Sequence, residues 1–135
     1  SKISSKHIDE ANSKIEKDKI LSVIESEPIQ FQLVLYAIME LEREMGGRQK
    51  RLDGGSAIFT GDIYTKYQEI CLKTKNEILT QRRVGDIIAE FDMLGIINAK
   101  VVSKGRQGRT REIRLLLVSE VKKKTREILE NGIGV

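Results

Sequence analysis

The chain has 135 residues, 39% of them hydrophobic, which suits one compact domain with a buried core and argues against a disordered tail. Its 24 Lys and Arg against 20 Asp and Glu leave a net charge of +4, and it holds one cysteine, Cys71, and one histidine, His7. An intrachain disulfide, a Cys/His zinc site and a His-based catalytic set are thereby excluded or left without parts, so no metal, no cofactor and no enzymatic activity are expected of this chain.

The first predicted element is a helix. Ser4 or Ser5 serves as its N-cap, and Ile8, Ala11, Ile15, Ile20, Val23 and Ile24 supply apolar positions before Pro28 ends it. His7 lies near its start as a surface residue. Proline is also favoured at a helix start, so Pro28 opens a second helix, in which Phe31, Val34, Leu35, Ile38, Leu41 and Met45 recur at core spacing until Gly46 and Gly47 stop it. The stretch RQKRLDGGS, residues 48–56, reads as a flexible surface loop.

A short strand is expected at Ala57–Phe59, after which Thr60 caps a helix that buries Ile63, Tyr64, Tyr67, Ile70 and Cys71. With no histidine beside it as a base, Cys71 reads as structural. A turn at Lys75 and Asn76 leads to a helix over 81–94, capped by Thr80 and closed by Gly95 in the left-handed conformation. One side of that helix is the apolar stripe Val84, Ile87, Ile88, Phe91 and Leu94; the other carries Arg82, Gly85, Asp86, Ala89 and Met93.

Beyond Gly95 the period changes to that of strands. IINAKVVS and REIRLLLV flank a basic, glycine-containing turn, which is the pattern of a hairpin. A last helix is expected from Ser119 as its cap, with Val121, Ile128 and Leu129 on its apolar side and a frayed end at residues 131–135. Its VKKKTRE segment reads as a solvated face.

Charge is not spread evenly along these elements. Residues 1–79 hold 12 basic and 13 acidic side chains, residues 80–114 hold 8 and 4, and residues 115–135 hold 4 and 3. The surplus therefore sits in the helix at 81–94 and the hairpin after it. The order helix, helix, short strand, helix, helix, hairpin, helix is that of a winged helix-turn-helix, an α+β fold that is mostly α, with the hairpin as the wing. In that arrangement the second helix of the pair enters the major groove of duplex DNA. Its contacts are expected from Thr80, Gln81, Arg82 and Arg83 in the first turn, while the small Gly85 and Ala89 allow close approach. The wing, with Lys104, Gly105, Arg106, Gln107, Gly108, Arg109, Thr110 and Arg111, is expected to meet phosphates or enter a narrow minor groove. Thr60 and Gly61 add phosphate contacts at a helix N-terminus. Arg82 and Asp86 also stand four apart, the spacing of a surface ion pair.

LTQRRVGDIIAEFDMLGIINAKVVSKGRQGRTREIRL, with TGDIYTKYQEIC and PIQFQLVLYAI before it, resembles the C-terminal winged-helix domain of the archaeal origin-recognition and helicase-loading initiators. The resemblance covers about residues 15–130, and ISSKHIDEA looks like the end of the ATPase lid subdomain that precedes this domain in the family, so residues 1–14 are assigned there. It implies binding of double-stranded origin DNA and recruitment of a replicative helicase or of a second initiator; from the sequence itself, with no signal segment at its start, a cytoplasmic, nucleoid-associated location is expected. Where family members often carry an aromatic this chain has Gln107, so no stacking is implied at the wing tip. No G-x-x-x-x-G-K-[ST] phosphate loop occurs, which makes the chain a fragment whose parent carries the ATP-binding module. No run of about 18 apolar residues occurs, and no membrane partner is expected. Two other functions remain open to the residues themselves: a winged-helix transcription regulator, and a winged-helix module that holds proteins rather than DNA.

Overall fold

A computed structural model of the chain describes residues 16–47, 57–103 and 109–135. The expected caps Ser4 and Ser5, His7, the lid segment 1–14, the loop 48–56 and the wing tip Lys104–Gly108 lie outside the described residues. Helix α1 occupies residues 16–26 and buries Ile24. Pro28 marks the boundary, and its carbonyl accepts the first bond of α2, Ile29–Gly47, from the Gln32 amide at 3.1 Å. Glycines 46 and 47 belong to the last turn of α2.

Helix α2 is the centre of the molecule. Leu33, Val34, Leu35, Tyr36, Ala37, Ile38 and Met39 are all buried, so the single stripe expected from three and four residue spacing understates it. Over residues 33–39 the helix has no solvent face and must be surrounded, while Arg43 and Glu44 further along it are exposed. The surroundings are α3 (Thr60–Thr74), α5 (Ser119–Ile133) and α4 (Gln81–Met93). Phe31 of α2 meets Phe91 of α4 edge to face, with ring centroids 5.8 Å apart.

The sheet has three strands in the order β1 (Ile58–Phe59), β3 (Arg109–Leu115), β2 (Ile97–Ser103), all antiparallel. Ile97 pairs with Leu115 at the base of the hairpin and Ser103 with Arg109 at the far end of the described strands. β1 covers only Glu112 and Ile113, so the outer part of the hairpin stands free of the sheet as a wing. Inner-face positions record this departure: Ile97 is 1% exposed, whereas Val101, four residues along the same strand, is 60% exposed.

Four local expectations are corrected. Thr60 is the first residue of α3 and not its cap; Phe59 is in the extended N-cap position, and the Asp62 carboxylate accepts its amide at 3.0 Å. Ser119 likewise lies inside α5, after Val118, because the buried series Val121, Thr125, Leu129, Ile133 sets where the helix starts. That helix does not fray at 131: Ile133 is buried, and Gly134, at φ +81°, ends it in the left-handed conformation with its amide on the Glu130 carbonyl. Leu94 leaves the apolar stripe and is exposed, because the helix stops at Met93 and Gly95, at φ +78°, turns the chain so that Ile96 and Ile97 take the core positions.

Candidate nucleic-acid interface

The α3–α4 turn is tied by two tyrosines. The Tyr64 hydroxyl donates to the Leu79 carbonyl at 2.8 Å, and the Leu79 amide donates to the Tyr67 hydroxyl at 2.9 Å. Tyr67 in turn donates to Oε1 of Gln30 on α2. Burial is the main reason its phenol is pushed up to about 12, so the neutral hydroxyl that both donates and accepts persists at physiological pH. Burial also pushes the Cys71 thiol up; wholly inside the core, it is no nucleophile.

Helix α4 begins at Thr80, whose hydroxyl accepts the Arg83 amide at 3.2 Å. Val84, Ile87, Ile88 and Phe91 are buried and fix the rotation of the helix, leaving Gln81, Arg82, Arg83 and Asp86 exposed and Gly85 and Ala89 half-buried. Among the described residues neither Arg82 nor Arg83 has a carboxylate partner, so the Arg82–Asp86 ion pair does not form. The two arginines flank the helix on different sides. Arg82 borders an open cleft of about 510 Å³ between the heads of α3 and α4 and the wing; Arg83 borders a second groove, lined also by Pro28, Phe31, Glu77, Asp86 and Glu90.

The first cleft gathers residues from every element expected to act. Thr60, Gln81, Arg82, Gly85, Thr110 and Arg111 all line it. The Thr60 and Thr110 hydroxyls are hydrogen-bonded at 3.2 Å, joining the head of α3 to the wing. Gly61 is open, with nothing near the position of a Cβ. Ala89 borders neither groove. Gly85 does not face open space: Nη2 of Arg111 donates to its carbonyl at 3.1 Å and would lie 3.0 Å from a Cβ placed there. Arg109 is on β3. Sequence reasoning missed Val101 and Tyr64 as cleft residues. Val101 could have been found by counting alternate positions from Ile97 past the end of the core.

Part of the remaining basic surface, around the C-terminal half of α2, is neutralised from within. Arg126 bonds Glu40 and stacks over Tyr36, 5.7 Å from the ring centre; Lys122 bonds Glu42, and Lys66 bonds Glu44 at 2.6 Å. The VKKKTRE segment thus contributes Lys122 and Arg126 to the α2–α5 contact and leaves Lys123 and Lys124 exposed. Among the described residues no cluster of His, Cys, Asp and Glu could hold a metal ion, and no helix is long and apolar enough to cross a membrane.

Two helices joined by a tied turn, the second set outward beside a β-hairpin, with a cleft between them bordered by Arg82 and Arg111, define a winged helix-turn-helix domain, a non-catalytic class. The family model described as CDC6, C terminal winged helix domain, matches residues 22–125, and the chain belongs to that family. It is 49% identical over 119 residues to the ORC1-type DNA replication protein of Pyrococcus furiosus, covering 88% of this chain and 26% of that protein. Over 123 residues it is 45% identical to ORC1-type DNA replication protein 1 of Methanosarcina mazei, covering 91% of this chain and 27% of that protein. Among solved structures it is similar to the Aeropyrum pernix ORC1 protein in complex with DNA, at a TM-score of 0.75 and 36% identity over 93% of this chain and 30% of that one. CDC6P from Pyrobaculum aerophilum shares the fold, at a TM-score of 0.59 and 12% identity over 84% of this chain and 26% of that one. The chain spans about a quarter of the length of these curated relatives.

Proposed function

We propose that the chain binds duplex DNA at replication origins, with the head of α4 in the major groove and the wing in the minor groove. The observation that carries this reading is the contrast in arginine partners. Arg126, on the α2–α5 face, is paired with an acid of the fold, whereas Arg82 and Arg83 at the start of α4 have no carboxylate partner among the described residues. Unpaired guanidiniums beside the free amides of a helix N-terminus are donors awaiting phosphate oxygens or base edges. A relative of the same family, the Aeropyrum pernix ORC1 protein, is known in complex with DNA. Thr80, Gln81, Arg82 and Arg83 act from the helix, Lys104, Arg106 and Arg109 from the wing, and Thr60 and Gly61 from the head of α3. No cofactor takes part in this domain; ATP is the business of the remaining length of the parent protein, where a replicative helicase or second initiator would also engage. The location that follows is the nucleoid.

Titration of labelled duplexes with the purified domain across a range of salt tests the reading. DNA binding requires affinity that falls steeply as salt rises. Absence of binding to any duplex at about 50 mM salt, where phosphate contacts are least screened, would leave the protein-interaction alternative standing.

A further inference from the structure

We infer that Arg111 is a positioning residue, which locks the wing to α4 by donating to the Gly85 carbonyl in the room that glycine leaves at position 85. For its consequence in DNA binding this rests on the proposed function; the lock itself is a statement about the fold.

Alternation along β3 sends Arg111 to the same face as Ile113 and Leu115, which are both buried. At Arg111 the strand has passed the edge of the core, as its Cα partner Val101 shows by its exposure, and the side chain meets α4 instead. There Nη2 donates to the Gly85 carbonyl at 3.1 Å. A carbonyl inside a helix has a second lone pair free for such a donor. Glycine is the poorest helix former after proline, and its place inside α4 needs a reason. One reason is room: a Cβ at 85 would stand 3.0 Å from Nη2, so the guanidinium would have to give by a few tenths of an ångström, which glycine spares it. The neighbouring Thr110 makes the second tie, to Thr60 at the head of α3. β1 pairs only with Glu112 and Ile113, so these two hydrogen bonds tie the hairpin to the helix-turn-helix at residues 110 and 111, above the bond that the Ala99 amide of β2 donates to the Asp92 carboxylate of α4 at 3.1 Å. The Asp92–Ala99 bond holds the base of the hairpin to α4, and the Arg111 and Thr110 bonds restrain its outer part, and with it the separation of the two grooves a bound duplex must present.

Spin labels at exposed positions on the two elements, Glu90→Cys on α4 and Lys100→Cys on β2, report the angle between wing and α4 as a distance distribution, Cys71 being buried and unlabelled. A narrow distribution in the parent chain should broaden in Arg111→Ala and in Gly85→Leu. The double variant should be no broader than the wider single, since both remove one contact. Arg111→Ala is the safer of the two to fold and decides the matter alone. An unchanged distribution in that variant overturns the lock. On DNA, Arg111→Ala should lose affinity on the order of tenfold, the ratio associated with a hydrogen bond to a charged group, with an unchanged salt slope. A slope reduced by about 0.9, with affinity restored by Arg111→Lys while the distances stay broad, would make Arg111 a phosphate contact and overturn the proposal. If the parent chain binds no duplex, the proposed function fails, and the distances still decide the lock.

Discussion

Replacing Arg82 and Arg83 with alanine, singly and together, separates electrostatic recognition from every contribution of packing. Both side chains are exposed, and neither makes an ion pair among the described residues, so the variants should unfold within about 0.5 kcal/mol of the parent. If each neutralises one phosphate, each loss lowers the slope of log K against log salt by about 0.9. That slope amounts to about fifteenfold in affinity at 50 mM salt and about fourfold at 200 mM. Because Arg82 borders the wing cleft and Arg83 the opposite groove, they share no partner, and the double variant should show the product of the two losses. Fluorescence anisotropy of a labelled duplex at four or five salt concentrations measures both quantities, with Lys123→Ala on α5 as the remote control. A loss equal at all salts, or a loss as large in the control, would refute the assignment of these arginines to phosphate.

Glu40 should make stability pH-dependent. Burial pushes its carboxyl up, but the hydrogen bond and charge of Arg126, with Arg43, outweigh this and hold it below the ordinary value. A lowered folded value gives stability that is present above the unfolded pKa, about 4.3, and lost as pH falls through the folded one. Glu40→Gln should therefore be less stable by about 1 to 3 kcal/mol at pH 7, with the gap closing toward pH 3 in urea unfolding; a constant gap would contradict this. Gly132→Ala should destabilise, because its methyl would overlap Oε1 of buried Gln32, whose amide nitrogen donates to the carbonyls of Ile24, Glu25 and Glu27 at the end of α1. In a Gln32→Ala background the same change should stabilise by about 1 kcal/mol through helix propensity, and thermal melts of the four proteins read the sign change. Tyr67→Phe should cost about 1 to 3 kcal/mol by leaving the Leu79 amide without its acceptor, and should weaken DNA binding without altering the salt slope; an altered slope would place Tyr67 at the DNA instead.

The frame of the site was legible in the sequence because strong local signals agreed there. Thr80 caps α4, Val84, Ile87, Ile88 and Phe91 fix its rotation, and Gly95 ends it at positive φ before a hairpin with strict register. Elsewhere tertiary contacts overrode local signals. The N-cap position of α3 fell to Phe59, whose amide donates to the Asp62 carboxylate, and not to Thr60, and packing of Val121 and Leu129 placed Ser119 inside its helix. Burial of Ile133 likewise carried α5 through a segment whose glycines suggested fraying. Arg111 is the instructive case. Its charge suggested a DNA ligand, yet the alternation Leu115, Ile113, Arg111 already placed it on the inner face; what no single sequence could show is that Gly85 lies opposite.

Amide chemical shifts of the isotope-labelled domain, with and without duplex, test the central claim most directly. The account predicts perturbation at Thr60 and Gly61, through Gln81–Gly85 and along the wing from Val101 to Arg111, with the exposed lysines Lys123 and Lys124 of α5 unmoved. Perturbation centred on α5, with the head of α4 silent, would contradict it.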